Sequence, residues 1–165
     1  MHSIKLFLTD VDGCLTDGGL YYTAEDHIMK RFCVYDGIGM VRLQEVGIPC
    51  GILTSETSGI VSKRAELLHL KYLYLGVGSR LTKGMTKRQA AQEICDELGI
   101  SLAEVCYVGD DINDIDLLEA VGHPCCPPNA RPEVKAVPGI RVLNTPGGQG
   151  AIREIADEIL ANCKS

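Results

Sequence analysis

The sequence predicts an α/β fold, a Rossmann-like three-layer sandwich with a central parallel sheet, and three observations predict it. Short aliphatic runs alternate with segments of helical periodicity. Acidic turns stand directly behind two of those runs. The composition, 165 residues with 45% hydrophobic side chains and 18 glycines, suits one aliphatic core with short loops.

The elements follow in order. Ile4-Lys5-Leu6-Phe7-Leu8-Thr9 reads as the first strand, residues 46–53 as the second, 72–75 as the third and 104–108 as the fourth. Shorter strands are expected at 121–125 and 140–143. Helical spacing marks 37–45, 57–68, 86–98, 112–120 and 150–162. Such alternation places helices on both faces of a parallel sheet. Two apolar runs, 18–23 and 28–34, flank the polar turn 24–27 and predict a β-hairpin. It begins behind the first acidic turn, which favours a flap over that turn against an ordinary edge hairpin. With no repeat, linker or insertion large enough for a cap, residues 1–165 are expected to form a single domain.

Composition also excludes. A formal net charge of −6 without a Lys/Arg run argues against nucleic acid. No apolar stretch approaches the roughly twenty residues of a membrane span. The eight cysteines are scattered and form no Cys-x-x-Cys pair, and the chain enters a strand at once without a signal peptide. They read as reduced thiols of a cytoplasmic protein. His123-Pro124-Cys125-Cys126-Pro127-Pro128 reads as a rigid loop rather than a soft-metal site, because of its prolines.

Chemistry concentrates behind the strands. Asp10-Val11-Asp12-Gly13 puts two carboxylates at the end of the first strand, either as a solvated Asp-Gly turn or as a cation site. Gly109-Asp110-Asp111-Ile112-Asn113-Asp114 follows the fourth strand, at the same sheet edge. Together they offer enough hard oxygen ligands for Mg²⁺. Thr54-Ser55-Glu56-Thr57-Ser58 ends the second strand at a helix start, a place for an anion, a helix cap or both. Arg80, Lys83, Lys87 and Arg88 offer cations near the start of the third long helix.

In this order, Asp10 and Asp12, Thr54, a Lys and the Asp110 cluster resemble the four motifs of the haloacid dehalogenase superfamily of phosphotransferases. Thr16-Asp17-Gly18, Asp36-Gly37-Ile38-Gly39, Gly76-Val77 and the stretch from Gly147-Gly148-Gln149-Gly150 to Glu154 make the chain similar to its small capless branch. That branch comprises 3-deoxy-D-manno-octulosonate 8-phosphate phosphatases and their nonulosonate 9-phosphate relatives. The resemblance implies Asp10 as nucleophile forming an aspartyl phosphate, and Asp12 as general acid and then base. It further implies Mg²⁺ held by Asp10, the Asp12 carbonyl and Asp110, with Thr54 holding a phosphoryl oxygen. Asp111 or Asp114 would orient metal waters or the motif Lys. Counting back from Glu97-Leu98-Gly99-Ile100 makes that Lys Lys87, with 78–86 as an insertion and Lys83 as the fallback.

Substrate contacts are expected from Ser55, Glu56 and Arg153. Ser55-Glu56 stands where octulosonate enzymes commonly carry Gly-Arg, and Tyr35 replaces an Arg common before Asp-Gly-x-Gly. The acid at 56 looks more like the nonulosonate relatives and, unless offset, would repel a substrate carboxylate. Capless relatives are commonly homotetramers, so a neighbouring subunit is expected to close the site. Two other classes compete. A phosphoacceptor receiver domain needs an Asp after its third strand, where Tyr74-Leu75-Gly76 stands instead. A non-catalytic assembly module, like the phosphatase-like tails of acylneuraminate cytidylyltransferases, can lose the nucleophile that this chain retains.

Overall fold

The computed structural model describes residues 3–25, 28–79, 81 and 84–163. Its elements are β1 (Leu6–Thr9), β2 (Tyr21–Tyr22), β3 (Ile28–Met29), α1 (Val34–Glu45), β4 (Cys50–Leu53), α2 (Gly59–Leu67), β5 (Tyr72–Tyr74), α3 (Lys87–Leu98), β6 (Val105–Val108), α4 (Ile115–Leu118), β7 (His123–Cys126), α5 (Pro132–Lys135), β8 (Arg141–Val142) and α6 (Ala151–Asn162). Six strands form one sheet in the order β5-β4-β1-β6-β7-β8, and every pair is parallel. The chain winds from β1 out to β5, then crosses back to β6 and on to β8. Such a reversal opens a crevice at the carboxyl ends of the central strands, here β4, β1 and β6.

Alternation along the strands feeds two cores. Phe7 packs with Ile52, Val108, Met40, Val61 and Ile152 on the face covered by α1, α2 and α6. Leu6 and Leu8 pack with Leu53, Tyr107, Ile94, Leu117 and Val134 on the face covered by α3, α4 and α5. Successive side chains of β1 thus point to opposite helical layers, which is why its run is apolar without alternation. The sandwich expected from the sequence is the one observed.

Several boundaries differ for identifiable reasons. β4 starts at Cys50 rather than 46, because Gly47, at φ 84, completes the turn out of α1 and Pro49 has no N–H to give a ladder. α1 starts at Val34, three residues before the expected Gly37. Its buried Asp36 serves another helix: Asp36 Oδ1 accepts the Arg153 N–H at 2.9 Å, where α6 begins behind Gly150, which has no capping side chain. Burial raises the Asp36 carboxyl above its ordinary range, and the N–H groups of Arg153, Gly150 and Ile152 oppose that. The Asp-Gly-x-Gly run is therefore a helix–helix joint. The region 112–120 divides into a 3₁₀ turn at Ile112–Asp114 and the short α4.

α5 was not anticipated, although Pro132 at its first turn is a start signal. Pro124 lies inside β7, contrary to a rigid loop over 123–128. It is tolerated because pairing with β8 begins only at Cys125. The hairpin forms as β2 against β3, with Thr16 bridging Phe32 at its base. Its expected turn residues 26 and 27 lie outside the described residues.

The joint between α1 and α6 sets a stability test. Asp36→Ala leaves the α6 N-terminus uncapped inside the core and lowers stability by about 1–3 kcal/mol. Asp36→Asn keeps an acceptor oxygen and loses less. Urea unfolding of the two variants beside the unaltered protein measures both.

Candidate active site

The crevice is lined by three strand ends, and β1 supplies its floor. The Asp10 N–H donates to the Val108 carbonyl at 2.9 Å, so the residue is fixed by the sheet itself. Its Oδ1 accepts the Val11 N–H at 2.7 Å and caps the turn Val11–Leu15. Gly13 follows at φ 83, with no room for a side chain: a Cβ would come 2.0 Å from Asp110 Oδ2. The two acidic turns interlock at that glycine. A third loop supports them, since Asn129 donates to the Gly13 carbonyl at 2.9 Å and accepts the Gly147 N–H at 2.8 Å. Gly147 meets that carbonyl so closely that a Cβ would stand 1.9 Å from its oxygen.

Lys87 occupies the first position of α3 and is fully buried. A cation at a helix N-terminus opposes the helix dipole, so partners must hold it there. Its Nζ lies 2.8 Å from Asp10 Oδ2 and 2.6 Å from Asp114 Oδ1. The stretch 78–86 does not disturb this placement, because the Gly78 N–H donates to the Met85 carbonyl at 2.9 Å and closes the excursion on itself. Gly78 also lets the Lys87 stem pass, since a Cβ there would be 3.0 Å from Lys87 Cγ. The alternative cations Lys83 and Arg80 lie outside the described residues.

Asp114 has no oxygen to spare. Besides Lys87, Oδ1 accepts the Tyr107 hydroxyl, and Oδ2 accepts the N–H groups of Asp110 and Asp111 at 2.9 and 3.1 Å. It shapes the acidic turn and grips the lysine, while Asp111 caps its own turn at Ile112. Asp110 is different. Among the described residues its one side-chain hydrogen bond is a weak one from the Cys14 thiol at 3.5 Å.

The electrostatics follow from this arithmetic. Carboxylate oxygens of Asp10, Asp110 and Asp114 lie within 4.8 Å of one another. With all three ionised, three carboxylates against the one ammonium that meets them among the described residues leave two negative charges in a buried place. Burial raises Asp10 to about 6, with Lys87 opposing and Asp114 adding to the rise. Burial, then Asp10 and Asp114, raise Asp110 to about 8. Burial also works against the Lys87 ammonium, but Asp10 and Asp114 outweigh it and hold that group above its ordinary value. The missing charge is that of a divalent cation. Asp10 and the underpartnered Asp110 are hard oxygen donors suited to Mg²⁺.

Asp12 and Glu56 meet through a residue the sequence did not single out. Lys30, directly after β3, bonds to Asp12 Oδ1 at 2.6 Å and to Glu56 Oε2, with its side chain 1% exposed. Only its position at the inner end of the hairpin hinted at this. Thr54 is buried behind β4, where its N–H donates to the Tyr74 carbonyl and its Oγ1 accepts the Glu56 N–H at 3.2 Å. Its own O–H has no acceptor among the described residues. Ser55 is exposed beside it. Arg153 stands apart from these bonds, with its Nε 2.7 Å from Asp157 Oδ2 on α6 and its side chain against Gly39 of α1. Tyr107 and Asn129 were also missed, because their contacts are made across the fold rather than along a motif.

Comparison with known proteins agrees with this geometry. A family model described as haloacid dehalogenase-like hydrolase matches residues 78–141. The 3-deoxy-D-manno-octulosonate 8-phosphate phosphatase KdsC of Haemophilus influenzae is 34% identical over 160 residues, covering 97% of this chain and 84% of that one. Its Escherichia coli K12 counterpart is 32% identical over 159 residues, 96% and 80% of the two chains. The crystal structure of the Moraxella catarrhalis enzyme, in complex with a magnesium ion, a phosphate ion and KDO, superposes with a TM-score of 0.88. It is 34% identical, and the match covers 96% of this chain and 86% of that one. The chain belongs to the haloacid dehalogenase-like hydrolases, in the family of the 3-deoxy-D-manno-octulosonate 8-phosphate phosphatases.

Proposed function

We propose that the chain, as one domain over residues 1–165, is a Mg²⁺-dependent phosphomonoesterase acting on a 3-deoxy-2-ulosonic acid phosphate. KDO 8-phosphate, or a nonulosonate 9-phosphate, is the substrate class. The observation that carries this reading is the buried Lys87 held between Asp10 and Asp114, beside an Asp110 that has no strong partner among the described residues. A non-catalytic assembly module has no use for two uncompensated charges in a crevice.

Asp10 attacks phosphorus in line, the bond to the sugar oxygen breaks, and an aspartyl phosphate forms. Asp12 gives the departing oxygen its proton, then takes one from the water that hydrolyses the intermediate. Lys87 and the Thr54 hydroxyl hold phosphoryl oxygens. The carboxylates of Asp10 and Asp110 and the carbonyl of Asp12 would hold Mg²⁺, which would supply the positive charge that lets an anionic nucleophile approach an anionic phosphate. Ser55 and Glu56 border the sugar. Lys30 offsets the Glu56 charge that would otherwise repel the substrate carboxylate.

The hairpin and the start of α1 expose Tyr21, Tyr22, Met29, Val34 and Tyr35, an apolar surface suited to a second copy of the chain. Beside it an open depression of about 520 Å³ is lined by Lys30, Phe32, Lys63, Arg64 and Leu67. A homotetramer closes the site with these surfaces, and light scattering tests it. No helix among the described residues is long and apolar enough to cross a membrane. A sugar-acid phosphatase of this kind works in the cytoplasm.

Phosphate release from a panel of ulosonic acid phosphates, with and without Mg²⁺, tests the function. Asp10→Asn lowers kcat by on the order of 10³-fold or more, and unchanged turnover rules the mechanism out. Lys87→Met leaves Asp10 and Asp114 unpaired in the core, which costs about 3–5 kcal/mol by denaturant unfolding. It also lowers kcat by roughly 10²–10³-fold.

Metal-free protein carries a pH signature. Asp10 and Asp110 rise from 3.8 to about 6 and about 8 on folding, so the unfolded chain gives up these protons first. Stability therefore falls as pH climbs from about 4 through 8, and Mg²⁺ restores it in the upper part of that window. Melting temperature against pH, for the unaltered protein and Asp110→Asn, reads this out; the variant shows the flatter curve.

A further inference from the structure

Lys30 stands where the flap returns to the sheet. Its neighbours Ile28 and Met29 are exposed, yet its own side chain is 1% exposed. An ammonium withdrawn from water that far needs anions around it. It has two, Asp12 from the turn behind β1 and Glu56 from the loop behind β4. Three separate segments thus meet at one nitrogen.

The bond to Asp12 is one-sided. Oδ1 is held by Lys30 at 2.6 Å, whereas Oδ2 has no partner among the described residues, and the carboxylate is 39% exposed. One oxygen is anchored and the other is free. A general acid must present its proton along a defined line to the leaving oxygen, and an unanchored carboxylate rotates away from it.

We infer that Lys30 is a positioning residue for the Asp12 carboxylate: it fixes one oxygen from the flap and leaves the other aimed at the leaving group. Its second bond, to Glu56, links that alignment to the residue that borders the sugar. This rests on the phosphatase reading above.

The test separates proton delivery from binding. A sugar alkoxide departs only with a proton, whereas p-nitrophenolate departs without one. The ratio kcat/KM covers the steps up to that departure, so later hydrolysis of the intermediate does not enter it. Lys30→Met lowers kcat/KM for KDO 8-phosphate by on the order of 10²-fold and for p-nitrophenyl phosphate by no more than about threefold. Lys30→Arg, whose fork can also bridge two carboxylates, recovers the sugar phosphate to within about tenfold of the unaltered chain. In Lys30→Met combined with Glu56→Gln, the selective loss persists.

Equal losses with both substrates overturn the inference, as does failure of Lys30→Arg to recover. Recovery in the double variant also overturns it, because Lys30 then only offsets Glu56. Absence of Mg²⁺-dependent turnover in the unaltered chain is the distinct outcome that removes the phosphatase reading, and this inference with it.

Discussion

The ion triad of Asp10, Lys87 and Asp114 is the constraint on which the rest of the structure depends. It joins the end of β1, the start of α3 and the turn after β6, three elements that are otherwise distant in sequence. An ammonium without water is stable there only because two carboxylates share it, and those carboxylates tolerate each other only because of the ammonium. Each member is costly alone. Around this knot Tyr107 and the N–H groups of Asp110 and Asp111 complete the acceptors of Asp114, which fixes the acidic turn and leaves Asp110 over as the underpartnered charge.

The three-layer sheet makes this possible. β1 is paired on both edges and covered on both faces, so its last residue cannot drift. Loops that meet at its end pack backbone to backbone: Gly13 yields space to the Asp110 carboxylate, and Gly147 lies against the Gly13 carbonyl. Side chains would separate these turns and open the cluster. Rigidity at the floor contrasts with the rim, where Lys30 and Glu56 reach in from a hairpin and a helix start.

Much of this was legible in the sequence because it is local. Apolar runs ending in Asp10, Thr54 and Asp110 give both the parallel sheet and the shared edge, since parallel strands all end on the same side. Counting back from the end of its helix leads to Lys87, the lysine buried between Asp10 and Asp114. What was hidden is what depends on contacts between distant segments. Lys30 carries no pattern of its own, and its burial arises only when the flap folds back over Asp12. Asp36 read as a helix opener, whereas its carboxylate caps α6 more than a hundred residues later. Pro124 argued for a loop because the sequence does not reveal where the neighbouring strand begins to pair.

The hydrogen bond from Gly78 to Met85 joins the two sides of the stretch between β5 and α3. It closes the excursion at its neck, so the two ends of the stretch stand where a short connection would leave them. Conformational entropy charges little for length in such a loop, about 0.6 kcal/mol for each doubling. The segment is therefore a place where the chain can grow or shrink across generations without moving the lysine buried between Asp10 and Asp114. Sequence length and site geometry are decoupled there, and divergence can act on the surface of this protein while its centre stays in register.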